Sequence, residues 1–214
     1  MKRPSALVKR PSALVTRPLY RVGAAPRADV FLPPLRTLPV RSTSVAGTEH
    51  RPTWLFTAAH GGSGAGLLAR LSRQVGEELS GPELPAWGMS AGHAWPDPAL
   101  EPTGLVIVVA QTTMRGLGWA RDAAAQYLAG RAPDGLRLLG LVTVADQPGR
   151  LPKPLAAAKN LLAGAYPHTW HVPYVPTYRL LTGLPGEHCP PIHPAVADVL
   201  AAIRSTVTPK GQRS

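Results

Sequence analysis

The stretch TWLFTAAHGGSGAGLLARL, residues 53–71, constrains the fold more than any other part of the chain. Its first eight residues form a short β-rich apolar run bounded by Pro52 and by glycines, the pattern of a buried strand. From Leu67 the apolar residues Leu67, Leu68, Leu71, Val75 and Leu79 recur mainly at intervals of three and four, which predicts a helix with one buried face. A strand joined to a helix by a tight glycine loop is the first half of a βαβ unit. Such units build parallel sheets covered on both faces.

The rest of the chain repeats that alternation. LVIVVAQTT, residues 105–113, is a continuous apolar run, as expected of a strand buried on both faces. Residues 117–130 follow as a helix with Trp119, Ala123, Tyr127 and Leu128 on its face. Residues 136–146 form a further strand ending in the loop QPGRLP, residues 155–163 a helix, residues 168–175 a last strand and residues 194–206 a closing helix. Residues 80–104, rich in Gly and Pro and carrying Trp87 and Trp95, leave room for one short strand. The alternation predicts a three-layer α/β fold with a mainly parallel sheet over residues 51–207, followed by a short disordered tail, residues 208–214. In open parallel sheets ligands sit beyond the carboxyl ends of the strands. The loops after His60, Gln111, Asp146 and Tyr174 are therefore expected to share one rim.

Charge separates the two ends of the chain. Residues 1–51 carry ten Lys and Arg against Asp29 and Glu49, whereas the remainder carries thirteen against ten, so most of the net charge of +11 belongs to an N-terminal arm. The arm begins with a perfect tandem heptad, KRPSALV KRPSALV, in which a proline in every copy opposes a helix. Residues 1–50 are read as a disordered basic tail, either an expanded repeat or over-extended start without function, or an arm that touches nucleic acid non-specifically or an acidic membrane surface. The longest apolar run, residues 105–110, is far short of the roughly 20 residues of a membrane helix. With a single cysteine, Cys189, and no apolar leader, a cytoplasmic location is expected.

The glycine loop fits a known frame in spacing but not in chemistry. In the Walker A loop, [G/A]-x-x-x-x-G-K-[S/T], backbone N–H groups wrap phosphates, a lysine reaches the terminal phosphates and a hydroxyl ligates magnesium. Ala59 and Gly64 stand where the frame requires them, while Ala65 and Gly66 replace the lysine and the hydroxyl. Loss of such electrostatic partners typically removes several kcal/mol of transition-state stabilisation. His60 could supply part of the missing charge when protonated, but an ordinary imidazole, with a pKa of about 6.5, is mostly neutral at cytoplasmic pH. Its plainer role is a hydrogen bond that shapes the loop. Gly61, Gly62 and Gly64 suit a working anion nest and a vestigial tight turn equally well.

The candidate binding residues are therefore His60, Gly61, Gly62, Ser63, Gly64, Ala65 and Gly66, with Thr112, Thr113, Asp146 and Arg150 from neighbouring loops. Their candidate ligand is a nucleotide or a phosphate anion. No residue is assigned a catalytic role and no metal site is assigned, since HCPPIH, with His188, Cys189 and His193, lacks a fourth ligand pattern. Cys189 is read as a bystander. Arg150, Lys153, Lys159 and Arg179 lie in or near the rim loops, where they could line a basic mouth, although such scattered charges are usually solvated, and Trp170, Tyr174 and Tyr178 are read as core rather than as a stacking platform.

HGGSGAG, residues 60–66, resembles the K-G-G-x-G-K-[S/T] loop of the ParA and MinD group of P-loop ATPases, with His60 at that group's signature lysine and Ala65 at its loop lysine. HVPYVPTYRLLTGLPG resembles that group's final strand and turn. More narrowly, AHGGSG, LLGLVTVADQPGRLPKPL and WHVPYVPTYR are similar to an uncharacterised actinobacterial family of plasmids and integrative conjugative elements, a domain of unknown function. The resemblance spans about residues 53–182 and implies a P-loop NTPase-like, ParA/MinD-like fold in a mobile-element setting. It leads to the expectation of a non-catalytic relative acting as a binding or adaptor protein beside partition or conjugation partners. The alternatives are a partition-type ATPase with an unorthodox loop and an accessory factor that contacts DNA through its basic arm.

Overall fold

The computed structural model describes residues 36–41, 52–79, 87–101, 103–180 and 190–207. The heptad repeat, most of the basic arm, the tail at 208–214 and the segment with His188 and Cys189 lie outside the described residues. In chain order the elements are β1 (Val40–Arg41), β2 (Trp54–Ala58), α1 (Ala65–Leu79), β3 (Gly88–Gly92), β4 (Trp95–Pro96), β5 (Leu105–Gln111), α2 (Met114–Leu128), β6 (Arg137–Val144), α3 (Lys153–Ala163), β7 (His168–Val172), α4 (Pro176–Arg179) and α5 (Pro194–Val207).

Five of the strands form one sheet in the order β3-β2-β5-β6-β7, and every neighbouring pair is parallel. The expected α/β class and parallel sheet are thus what the chain adopts. Counted along the chain, the order is 2-1-3-4-5, a doubly wound sheet whose order reverses between β2 and β5. Chain connections leave that point in opposite directions, which opens a crevice beyond the carboxyl ends of these two strands.

Strand side chains alternate between two cores, which is why β2 and β5 read as unbroken apolar runs. Phe56, Ile107, Val109 and Val142 pack with Leu68 and Leu71 of α1 and with Leu200 and Ile203 of α5. On the opposite face Val106, Val108, Leu138 and Leu141 pack with Leu117, Ala120 and Ala124 of α2 and Leu162 of α3. Each fully buried Leu or Ile contributes about 1.5–3 kcal/mol. At Gly88 the strand has no room for a side chain, because a Cβ there would lie 2.1 Å from Trp54 Nε1 and 2.7 Å from Phe56 Cε2.

The region between β3 and β5 departs from expectation in two ways. Two short strands stand where one is predicted, and β4 pairs with β1 from the N-terminal arm. Residues 36–41, which the sequence places in a disordered tail, join the folded unit. Leu38, 2 % exposed, enters the second core beside Trp95. Its N–H donates to Gln126 Oε1 at 3.0 Å, and Gln126 Nε2 donates to the Leu38 carbonyl at 3.2 Å. The Arg36 N–H donates to Asp122 Oδ2 at 3.2 Å, and the Arg36 guanidinium lies 4.8 Å over Trp119. Among the described residues, no helix is long and apolar enough to cross a membrane.

Candidate functional site

The β2–α1 loop turns at Gly62 and Gly64, whose φ values of 79° and 96° lie in the left-handed region that favours glycine. Helical bonding starts with the Leu68 N–H donating to the Gly64 carbonyl at 2.9 Å. The N–H groups of Gly62, Gly64, Ala65, Gly66 and Leu67 donate to no protein group among the described residues. These are the donors a helix start presents to an anion, and the helix dipole adds positive potential at the same place. Ser63, 1 % exposed, sits within the loop with a buried Oγ that has no hydrogen-bond partner among the described residues. A buried hydroxyl left this way costs about 1–3 kcal/mol.

His60 holds the loop to the end of β5. It is 5 % exposed, its Nδ1 lies 2.8 Å from the Gly61 carbonyl and its Nε2 lies 3.4 Å from the Gln111 N–H. A carbonyl can only accept and a backbone amide can only donate, so with these partners Nδ1 is the donor and Nε2 the acceptor. His60 is thus a hydrogen-bonded spacer. A second tie comes from Gln111 Nε2, which donates to the Gly62 carbonyl at 2.9 Å. The first turn of α2 packs so closely here that a Cβ on Gly116 would lie 2.3 Å from the Gln111 carbonyl oxygen and 2.9 Å from His60 Nε2.

Above the loop opens a cavity of about 680 Å³ at the carboxyl ends of the strands. Residues 60–66 form one side, and Leu67, Leu71, Val144, Val172, Val175 and Tyr178 supply a largely apolar remainder. Its volume lies within the range of small-molecule sites, about 300–1,000 Å³. Arg179 stands at its edge, with Nη2 donating to Asp146 Oδ1 at 2.9 Å, to the Asp146 carbonyl at 2.8 Å and to the Ala145 carbonyl at 3.1 Å. Asp146 is accordingly engaged as the partner of Arg179.

The strand ends meet at one end of the sheet, yet they do not form a single cavity. Thr112 and Arg150, expected to face the glycine loop, instead line a separate cleft of about 80 Å³ with Gln147, Gly149, Lys159 and His171. Ala145 borders both spaces, so the turn after β6 is the wall between them. That turn is fixed by the Thr112 N–H donating to the Val144 carbonyl at 2.9 Å and by the Asp146 N–H donating to Thr112 Oγ1 at 3.2 Å. Thr113 serves the helix that follows it, because its side chain accepts the Gly116 N–H at 2.9 Å and caps α2. Ser90 and His93 also line the main cavity, although nothing in the sequence marks them as site residues, and Tyr178, read as core within the rim segment after Tyr174, lines it as well. His93 and Ser90 come from the Gly/Pro-rich stretch, which has no periodicity, and Tyr178 belongs to a helix of four residues.

Together, fold and site define a doubly wound parallel α/β domain with a ligand-sized cavity at its switch point, entered by a helix N-terminus. Comparison of the chain with protein-family models, with curated proteins and with solved structures finds no match.

Proposed function

We propose that this chain is a non-catalytic, ParA-like relative of the P-loop ATPases. In this reading it holds a nucleotide or phosphate anion on the β2–α1 loop without hydrolysing it, and works as a binding or adaptor component of a plasmid or other mobile-element system. The observation that carries the binding half is the loop itself. Five N–H groups with no acceptor among the described residues border a cavity of about 680 Å³, with the buried Ser63 in the same loop. Preorganised donors of this kind bind an anion with no lysine present.

The non-catalytic half rests on what stands at the charged positions. Ala65, at the frame's lysine, is a buried methyl in the first core, and Gly66 follows it where the hydroxyl belongs. His60 has both ring nitrogens committed to backbone partners, and Asp146 is engaged by Arg179. Phosphoryl transfer depends on stabilising charge that develops on the transferring group, and none of these residues supplies it. The mobile-element setting rests on the resemblance over residues 53–182 alone.

The test is a pair of assays on the purified full chain. Magnesium-dependent ATP hydrolysis is expected at background, and the double substitution Ala65→Lys with Gly66→Thr is expected to tighten nucleotide binding, because it adds the lysine and the hydroxyl that the frame lacks. Protein-dependent turnover abolished by His60→Ala or Asp146→Ala would overturn the non-catalytic reading. Nucleotide affinity unchanged by the double substitution would overturn the P-loop reading.

A further inference from the structure

The cleft on the far side of Ala145 carries a concentration of positive charge that the main cavity does not explain. Lys159 projects from α3 and Arg150 from the β6–α3 turn, while Thr112 and Gln147 add polar side chains. His171 closes the cleft from β7. No carboxylate lines the cleft, and neither Arg150 nor Lys159 has an ion-pair partner among the described residues. The acid nearest in sequence, Asp146, is turned to Arg179 instead.

Such an arrangement is unfavourable by itself. Like charges around a small, partly dehydrated space repel one another, and dehydration strengthens the repulsion. Its signature is the effect of the Lys159 charge on His171. Lys159 is pushed below the usual lysine range by burial, and His171 is pushed below the usual imidazole range by burial and then by the Lys159 charge. The His171 Nδ1 is already committed, since Thr143 Oγ1 donates to the Trp170 carbonyl at 3.1 Å and so accepts from the ring at 3.0 Å. That leaves Nε2 as the second polar atom of the ring.

We propose that this cleft is a second anion site, taking one tetrahedral oxyanion, inorganic phosphate or the terminal phosphate of a small ester, between Lys159 and Arg150 with Thr112 as a hydroxyl donor. A volume of about 80 Å³ admits one such group and excludes a nucleotide. The anion supplies the negative charge that the lining lacks and favours protonation of His171, whose Nε2 then becomes a third donor. The site is independent of the glycine loop, because the turn at Ala145 separates them.

The experiment is a titration of the isotope-labelled full chain with inorganic phosphate, against sodium chloride at equal ionic strength, read by amide and histidine NMR signals. Saturable shifts are expected at the amides of Gln147, Gly149 and Arg150, with a rise in the His171 pKa. The double variant Lys159→Gln with Arg150→Gln should weaken this response at least tenfold, while Lys159→Arg keeps it. Signals of Gly62 to Leu67 report the loop separately, so either site can fail alone. Shifts confined to those loop signals, shifts equally produced by chloride, or a response unchanged in the double variant would each overturn the second site.

Discussion

Two glycines two residues apart in α2 should respond in opposite directions to the same substitution. Gly118 meets nothing within 4 Å of a built Cβ, so Gly118→Ala gains the ordinary helix advantage of alanine over glycine, about 0.5–1 kcal/mol. Gly116→Ala gains the same amount and loses more. Its Cβ would lie 2.3 Å from the Gln111 carbonyl oxygen, part of a strand end that cannot swing aside as a flexible side chain would. Overpacking of this kind costs about 1–3 kcal/mol. Displacing the first turn also strains the cap between Thr113 Oγ1 and the Gly116 N–H, worth about 1 kcal/mol. The net expectation is a loss of about 2 kcal/mol for Gly116→Ala. For a domain of this size that corresponds to about 4–8 °C in Tm, against a rise of about 1–4 °C for Gly118→Ala. Differential scanning calorimetry of the two variants beside the wild type reads both effects. A Gly116→Ala protein as stable as Gly118→Ala would refute the close approach of α2 to the His60–Gln111 junction.

Three further outcomes follow from the same geometry. Ser63→Ala should leave stability unchanged or raise it by up to about 1 kcal/mol, since the buried hydroxyl has no partner among the described residues, yet weaken phosphate binding at the loop about tenfold or more; calorimetric titration and urea denaturation check the two halves. Leu38→Ala should cost about 3 kcal/mol, as for other buried leucines, and a Tm within a degree or so of wild type would mean that residues 36–41 are not held against α2 in solution. Because burial holds the folded-state pKa of His171 below 6.5, the unfolded chain binds the extra proton first. Its contribution to stability is therefore complete above about pH 6.5, declines as the pH falls through that value, and levels off below the folded pKa. His171→Asn should remove this component, and denaturation curves from about pH 7.5 to pH 5 that keep the same slope in the variant would contradict it.

The strands and longer helices are legible in the sequence because their burial is periodic. LVIVVAQ and RLLGLVTV announce two-sided burial, and β5 and β6 fall within the runs expected for them. Helix α1 begins at Ala65, two residues before its first apolar marker, because Ala65 and Gly66 lie in the turn where no side-chain pattern operates. Thr113 suits a ligand residue and an N-cap equally well in sequence, being a threonine at the edge of an apolar helix, and only its bond to the Gly116 N–H separates the two roles. Residues 36–41 leave almost no trace. Their strand is two residues long, and the decisive contacts run from Leu38 to Gln126, 88 positions away. The division of the rim into two spaces is equally hidden, since it depends on the height of one turn at Ala145. The tautomer of His60 depends on which atoms face its two nitrogens, which sequence spacing does not encode.

The most direct test of the central claim, that the β2–α1 loop binds a phosphate-bearing ligand without hydrolysing it, is phosphorus NMR of ATP and magnesium over the purified chain. One spectrum series reports binding through the shift and width of the nucleotide phosphates, and turnover through the growth of free phosphate. Saturable changes in the ATP resonances that weaken in Ser63→Ala, with free phosphate growing no faster than in buffer, are the predicted result. ATP resonances indifferent to the protein, or free phosphate accumulating in proportion to its concentration, would contradict it.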